Sequence, residues 1–403
     1  MKIFNIEQFI SKHITQRPES LFTQDIEAHR SELAKEVQGK SILVIGGAGT
    51  IGSSFIKAIL PFKPGKLTVV DYSENELTEL TRDLRSSYNE YLPKEYITYP
   101  FDFGGAIFAK MFRANRFDVV ACFAAHKHVR SEKDHLAIEA MIKNNVFNTK
   151  ALLELAQISK PAHFFCVSTD KAANPVNVMG ASKKLMEKVL MAYSNQLKIS
   201  TARFANVAFS NGSLLFGFIQ RLFKQQPLSA PADVKRYFVS PLESGQLCMI
   251  ACLLGKPGNI FFPKLKEDEM MTFSSIAERF LEEMGMAPDY CQSEEEAREK
   301  AKLWKEGMKK YPVYFFASDT SGEKAYEEFY TNEDLVDWDT FKALGIIKNA
   351  PTQDKSEVDS ILSEFTKMFH NEAIDKAHIV HLLSQHLSDF NHLETGKGLD
   401  EKM

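Results

Sequence analysis

The sequence predicts an α/β protein: a doubly wound parallel sheet joined to a smaller α/β domain, with helical extensions at both ends. Three observations predict it. A β-branched run, Ser41–Ile45, opens into Gly46-Gly47-Ala48-Gly49-Thr50-Ile51-Gly52 and passes directly into a helix-compatible segment at 53–60. Further short apolar runs at 67–70, 96–100, 119–125, 163–167 and 200–207 are separated by longer stretches of helical period. With 403 residues, 44% of them hydrophobic and 25% charged, the chain can bury a core of that size and still carry a second domain.

Composition narrows the function. A formal net charge of −4 gives no reason to expect nucleic acid or an anionic membrane as a partner, so any phosphate recognition must be local. The five cysteines, Cys122, Cys166, Cys248, Cys252 and Cys291, form no Cys-x-x-Cys and mostly sit in apolar runs, which reads as reduced and structural. Residues 1–13 lack the apolar core of a signal peptide. The longest apolar run, 247–254, falls far short of the ~20 residues a membrane span needs. These features predict a cytoplasmic protein.

Taken in order, residues 1–38 read as an amphipathic preface that packs on the main body or on a second subunit: Ile6, Phe9 and Ile10 recur at helical spacing, Pro18 interrupts, and helix formers resume at 21–37. The glycine loop follows. Gly46 permits a tight turn, Gly49 lets a pyrophosphate approach the backbone, and Gly52 allows close packing behind, while the amino end of the helix supplies amide donors. This is a Rossmann-like dinucleotide site. The second strand ends in Asp71, whose carboxylate can accept hydrogen bonds from ribose hydroxyls and repels a 2′-phosphate, favouring NAD over NADP unless Lys40, Lys63, Lys66 or Arg82 lies close.

The run 163–167 fits a buried strand, and Ser168-Thr169-Asp170-Lys171 would emerge together at its carboxyl end, where open α/β sheets bind ligands. Asn174-Pro175 bends the chain, and a helix-compatible segment at 180–197 sets Met179 and Lys183 on one face, Lys183 pointing back to the strand end. The stretch resembles the extended short-chain dehydrogenase/reductase family, in which a Ser/Thr and a Tyr-x-x-x-Lys pair serve a nicotinamide cofactor. Met179 stands where that family carries Tyr, and a thioether is neither acid nor base. The string from Thr169 to Lys183 is similar to one branch, the nucleotide-sugar 4,6-dehydratases that act on UDP-N-acetylglucosamine, many of which also carry Met there.

The resemblance assigns roles. Thr169, Asp170, Lys171 and Lys183 are the catalytic set. Gly46, Gly49, Thr50, Ile51, Gly52, Asp71, Ser73, Asp102, Phe103, Ala124, Ala125, Asn145, Ser168 and Lys183 meet the cofactor. Asn145 matches an asparagine that helps hold the catalytic lysine. Lys127, within Ala125-His126-Lys127-His128-Val129, meets the substrate, with Asn206, Ser213, Arg236 and Lys324. Arg130 replaces the family's usual Pro. Arg236 is the preferred diphosphate anchor, because guanidinium geometry suits bidentate phosphate binding. Ser321-Gly322-Glu323-Lys324-Ala325-Tyr326-Glu327-Glu328 resembles the family's Gly-Glu-Lys-x-x-Glu-Glu signature, which closes the nucleotide pocket; Thr320-Ser321 stand in place of its Arg-Pro.

The expected organisation is a helical extension at 1–38, an NAD-binding domain at 39–205 to which 240–262 returns, a substrate domain at 206–239 and 263–348, and a helical extension at 349–403. The acidic run 294–299 reads as a solvated helix face. In the tail, Val358, Ile361, Leu362, Phe365 and Phe369 form one apolar stripe and Ile379, Val380, Leu383 and Leu387 another, which predicts a subunit contact or a cap on the body. Neither the tail histidines nor His126 and His128 show metal-ligand spacing, so no metal is expected.

In the reaction the resemblance implies, carbon 4 is oxidised, water leaves across carbons 5 and 6, and carbon 6 is reduced, with NAD regenerated. Asp170 is the acid for the leaving hydroxyl and Lys171 the base at carbon 5. Thr169 bonds the sugar near carbon 4, and Lys183 holds the nicotinamide ribose. The carbon 4 hydroxyl proton goes to Asp170 or to a relayed water. The partner set is a UDP-sugar and other copies of the chain as a homo-oligomer, with neither nucleic acid nor membrane. The alternatives are a nucleotide-sugar 4-epimerase and a non-catalytic NAD-binding sensor.

Overall fold

Strand β1, Ser41–Ile45, shows why the central sheet is covered on both sides. Ile42 and Val44 enter one apolar core, Leu43 and Ile45 the other, and all four are at most 1% exposed. Period-two alternation therefore separates two hydrophobic faces rather than an apolar from a polar one, as in parallel sheets roofed by helices. Each such side chain contributes about 1.5–3 kcal/mol on burial, so packing rather than strand propensity holds the sheet.

The computed structural model describes residues 4–87, 91–319, 321–322, 324, 326–348, 350, 353–371 and 373–394. With β2 at Lys66–Asp71, β3 at Glu95–Pro100, β4 at Val119–Cys122, β5 at His163–Val167 and β6 at Ile199–Ala202, the parallel order is β3-β2-β1-β4-β5-β6. Asn259–Pro263 extends it in parallel beside β6, and Leu344–Ile347 and Val336–Asp337 close that edge antiparallel. This is the doubly wound α/β class that the sequence predicts.

The helices Thr50–Ile59 and Pro241–Leu254 pack on one face, together with Phe22, Ile26, Leu33 and Val37 of the N-terminal segment. A smaller lobe carries the third core. In it Leu228–Pro231, Lys310–Phe316 and Ala287–Tyr290 form a parallel sheet, against which Phe9, Ile10 and Ile14 also pack. The N-terminal segment thus packs within its own chain. Among the described residues no helix is long and apolar enough to cross a membrane.

Three segments differ from their sequence-based expectation. The run 200–207 is two strands: β6 belongs to the large sheet, whereas Asn206–Val207 pairs with Phe238–Val239. Arg203, between them, turns inward to an ion pair, a long-range contact that no local pattern reveals. The helical stretch from His135 to Ser159, which the sequence reads as one long helix over 135–157, contains a π-helical turn at Lys143–Phe147. The helix expected at 180–197 runs Val178–Tyr193, starting where the Asn177 carboxamide oxygen accepts the Gly180 N–H at 2.7 Å.

The C-terminal helices Lys355–Phe369 and Lys376–His386 cap the body, burying Val358, Ile361, Phe365, Ile379 and Leu383 in the second core. Beyond them the chain runs along the turn after β5. Asn391 N–H donates to Pro175 O at 3.1 Å, Leu393 N–H to Val176 O at 2.9 Å, and Leu393 O accepts Gly322 N–H at 2.9 Å. This strap ties the predicted catalytic turn to the Gly322 segment.

Candidate active site

The glycine loop closes tightly on its neighbours. Gly46 has φ +70°, and a Cβ there would lie 2.5 Å from the Ala124 amide nitrogen, so the loop touches the chain leaving β4. Gly52 is needed for a contact within the loop: its Cβ would meet Gly46 O at 2.3 Å. Gly49 is different. It caps Thr50–Ile59 with no side-chain acceptor, and its Cβ would meet protein only at 3.5 Å. Bare amides at Thr50 and Ile51, with room in front of them, fit a pyrophosphate.

Asp71 ends β2 and is 7% exposed. One carboxylate oxygen accepts Ala48 N–H and the other Ser73 N–H, both at 3.1 Å, leaving lone pairs for ribose hydroxyls. Ser73 itself caps the next helix through Glu76 N–H. The cations that could have favoured a 2′-phosphate lie elsewhere. Lys40, Lys63 and Lys66 sit at the opposite end of β1 and β2, and Arg82 faces Glu79 at 3.7 Å. Asp102 follows β3 in the open and accepts Gly104 N–H, whereas Phe103 is buried against Phe108. The Asp71 carboxylate therefore keeps acceptor sites open at the end of β2.

Asn145 sits in the π-helical turn and is 1% exposed. Its Oδ1 accepts His126 N–H and Asn144 Nδ2, while its Nδ2 donates to His126 O and to Ser182 Oγ, at 2.9–3.1 Å. That fills the carboxamide, so the expected cofactor contact is corrected: Asn145 clips the chain after Ala124 and Ala125 to the helix that carries Lys183. Ser168 is corrected likewise. Its hydroxyl donates inward to Glu187 at 2.6 Å, and Glu187 is held by Arg203 at 2.9 and 2.7 Å. Burial alone would raise the Glu187 pKa, but Arg203 and Ser168 bring it below the ordinary value.

The turn after β5 brings three donors to one oxygen. Asp170 Oδ1 accepts Thr169 Oγ1 at 2.8 Å, Lys171 N–H at 2.9 Å and Lys171 Nζ at 3.1 Å. On its other side Lys171 Nζ faces Glu327 at 3.6 Å. Burial lowers the Lys171 pKa, yet Asp170 and Glu327 outweigh it and leave the pKa above the ordinary lysine value. Lys183 has no such company. Its Nζ donates to Val167 O at 2.9 Å and lies near Met186 Sδ, and burial pulls its pKa down. Met179, one helical turn earlier, is 3% exposed.

The substrate-side residues are less uniform. Arg236 is 5% exposed, donates to the Lys235 and Lys324 carbonyls, and lies 3.9 Å from Glu327. A diphosphate on Arg236 would therefore lie against a carboxylate. Lys324 Nζ sits 3.9 Å from Glu328; Thr320, Glu323 and Ala325 of the same signature lie outside the described residues. Lys127 Nζ donates to Asn211 O at 3.2 Å, and Ser213 caps the helix Leu214–Phe223 through Phe216 N–H. Asn206 is half-buried on its short strand. A cleft of about 480 Å³ is lined by His126, His128, Arg130, Ala137 and Gly212.

Two carboxylates were not singled out from the sequence. Glu132 caps the helix of Lys183 through Val178 N–H at 2.7 Å and carries no sequence signal for that role. Glu327, 4% exposed, was visible only as part of the signature stretch.

The family profile described as polysaccharide biosynthesis protein matches residues 42–349. The chain belongs to this family. This polysaccharide biosynthesis family member is 32% identical over 327 residues to an uncharacterized membrane protein of Methanocaldococcus jannaschii, covering 78% of this chain and 88% of that one. It is 30% identical over 237 residues to a UDP-N-acetylglucosamine 4,6-dehydratase (inverting) of Campylobacter jejuni, covering 56% of this chain and 67% of the relative. Against the probable polysaccharide biosynthesis protein EpsC of Bacillus subtilis, 32% identical, the match spans 39% of the relative's length. Among solved structures, Pen from Bacillus thuringiensis shares the fold with a TM-score of 0.64 at 22% identity, over 87% of this chain and 98% of that one. The family member thus falls in the epimerase and dehydratase group of extended short-chain dehydrogenases/reductases.

Proposed function

We propose that this family member is an NAD-dependent nucleotide-sugar 4,6-dehydratase acting on UDP-N-acetylglucosamine. The observation that carries the reading is the Asp170–Lys171 pair: a carboxylate and an amine 3.1 Å apart, at the carboxyl end of β5. Elimination of water needs both an acid and a base on adjacent carbons, and an epimerase needs no such pair.

When bound, NAD supplies the hydride acceptor and donor. The chain's residues do the rest. Asp170, with Thr169 on its oxygen, serves the hydroxyl leaving carbon 6. Lys171 removes the carbon 5 proton, which the carbon 4 ketone acidifies. The Lys183 charge sits behind β5, where it favours the nicotinamide ribose. Met179 takes up volume and carries no proton, so the carbon 4 hydroxyl proton goes to Asp170 or to a relayed water.

The test is incubation of the full chain with UDP-N-acetylglucosamine and NAD, followed by product mass and stereochemistry. Loss of water is expected. Equal mass with inverted carbon 4 would make the protein an epimerase, the name carried by a Rickettsia bellii relative 29% identical over 234 residues. No turnover would make it an NAD-binding sensor.

A further inference from the structure

Lys171 presents a difficulty for its own role. A base must be a neutral amine, yet Lys171 Nζ lies between two carboxylates, Asp170 at 3.1 Å and Glu327 at 3.6 Å, a setting that holds it as ammonium. Some group has to take a proton from it before carbon 5 can be attacked. Asp170 is badly placed for this. Its Oδ1 already accepts hydrogen bonds from the Thr169 hydroxyl, the Lys171 amide and the Lys171 side chain, and it is needed for the leaving hydroxyl.

Glu327 is in the opposite situation. Its side chain is 3% exposed, so its charge is poorly solvated, and the cations flanking it, Lys171 at 3.6 Å and Arg236 at 3.9 Å, stand beyond good hydrogen-bonding distance. Burial pushes its acidity in the same sense, raising its pKa above the ordinary carboxyl value against the pull of Lys171 and Arg236. Two buried charges of opposite sign can exchange one proton and become a neutral pair without changing the net charge of the site.

We propose that Glu327 is a positioning residue that receives the proton Lys171 must shed, leaving a neutral amine beside a carboxylic acid. The inference rests on the dehydratase reading for its purpose. The Lys171 N–H bond breaks and a Glu327 O–H bond forms. As hydride leaves carbon 4 the Asp170 carboxylate takes the carbon 4 hydroxyl proton; the neutral amine then takes the proton from carbon 5, Asp170 hands its proton to the carbon 6 hydroxyl, which leaves as water, and Lys171 returns the proton to carbon 5 as the hydride reaches carbon 6. Asp170 ends as the carboxylate it was, and the pair ends as neutral amine and carboxylic acid, from which the shared proton can return to Lys171. The population of this neutral pair does not vary with pH while the pair shares one proton.

The experiment compares wild-type chain with Glu327→Gln and Glu327→Asp. Two readouts are taken across the neutral and mildly alkaline range: dehydration of UDP-N-acetylglucosamine with NAD, and reductive methylation of Lys171 followed by peptide mass spectrometry. In wild type both should be nearly flat with pH. In Glu327→Gln the proton must go to solvent, so dehydration at neutral pH drops, and both readouts climb about tenfold per pH unit. Glu327→Asp should restore part of the flat profile. Matching flat profiles at wild-type level in Glu327→Gln would overturn the proposal. The methylation readout needs no turnover: if the wild type releases no water, the dehydratase reading fails while the methylation profiles still decide the role of Glu327. Methylation of the other lysines, unchanged between variants, reports that the fold is intact.

Discussion

Lys171 and Lys183 are both withdrawn from solvent, on either side of the same turn, and their surroundings drive them in opposite directions. Lys171 stands among Asp170, Glu327 and Arg236, and its pKa is raised. Lys183 has a carbonyl, a thioether and the nearby thiols of Cys122 and Cys166, and burial lowers its pKa. Position in a motif thus says little about charge: on the side of Glu327 the carboxylates face Lys171 directly, while behind β5 the Glu187 carboxylate is already held by Arg203. A proton-transfer role suits the first environment and a fixed, poorly solvated cation the second.

The comparison breaks most visibly if the two lysines are removed in turn. Lys171→Ala should lower dehydration by roughly 10²–10⁴-fold, the range of general acid–base contributions, while leaving NAD binding measurable by calorimetry close to wild type. Lys183→Met should do the reverse, weakening NAD binding more than it alters the pH profile of dehydration.

The wall behind Lys183 is held by the buried Arg203–Glu187 pair, to which Ser168 also donates. Glu187→Ala leaves Arg203 buried without its partner, and should destabilise the chain by about 3–5 kcal/mol in denaturant unfolding. A cost under about 1 kcal/mol, the range of exposed pairs, would show that the pair is solvated.

The two lysines should also give opposite pH dependences of stability. Lys171, raised in the fold, stabilises below the ordinary lysine pKa of ~10.4, and that contribution is lost as pH rises through its folded value. Lys183, lowered in the fold, makes the unfolded chain bind more protons, so stability rises with pH between its depressed value and ~10.4. Urea unfolding across this range should show the rise flattened in Lys183→Met and the fall removed in Lys171→Met.

The smallest effect concerns the strap. Leu393→Pro removes the donor to Val176 O and should cost about 1 kcal/mol, while lowering kcat with little change in NAD affinity, because the strap holds the catalytic turn and not the glycine loop. Equal losses in both would mean that the strap supports the whole body.

Much of the fold was legible because its determinants are local. The β-branched run, the glycines and the helix after them are contiguous, and a two-residue alternation in β1 is enough to bury both faces. The same holds for Thr169, Asp170 and Lys171, which reach a common oxygen because they are neighbours in sequence. What escaped the sequence depends on distant partners. Ser168 reads like the three polar residues that follow it, but it turns toward Glu187. Glu327 gains meaning only when the signature segment is folded against the turn. The split of 200–207 follows from where Arg203 finds its carboxylate, and the tail stripes gave no hint that the segment after them ties down Pro175 and Val176.

The central claim is that Lys171, not Lys183, handles the carbon 5 proton. It is tested most directly by single-turnover incubation of wild type, Lys171→Ala and Lys183→Met with UDP-N-acetylglucosamine and NAD in heavy water, reading deuterium at carbon 5 and sugar mass. Wild type and Lys183→Met should yield dehydrated sugar labelled at carbon 5, the latter in lower amount, whereas Lys171→Ala should yield neither label nor water loss. Labelled, dehydrated product from Lys171→Ala at the wild-type rate would contradict the assignment.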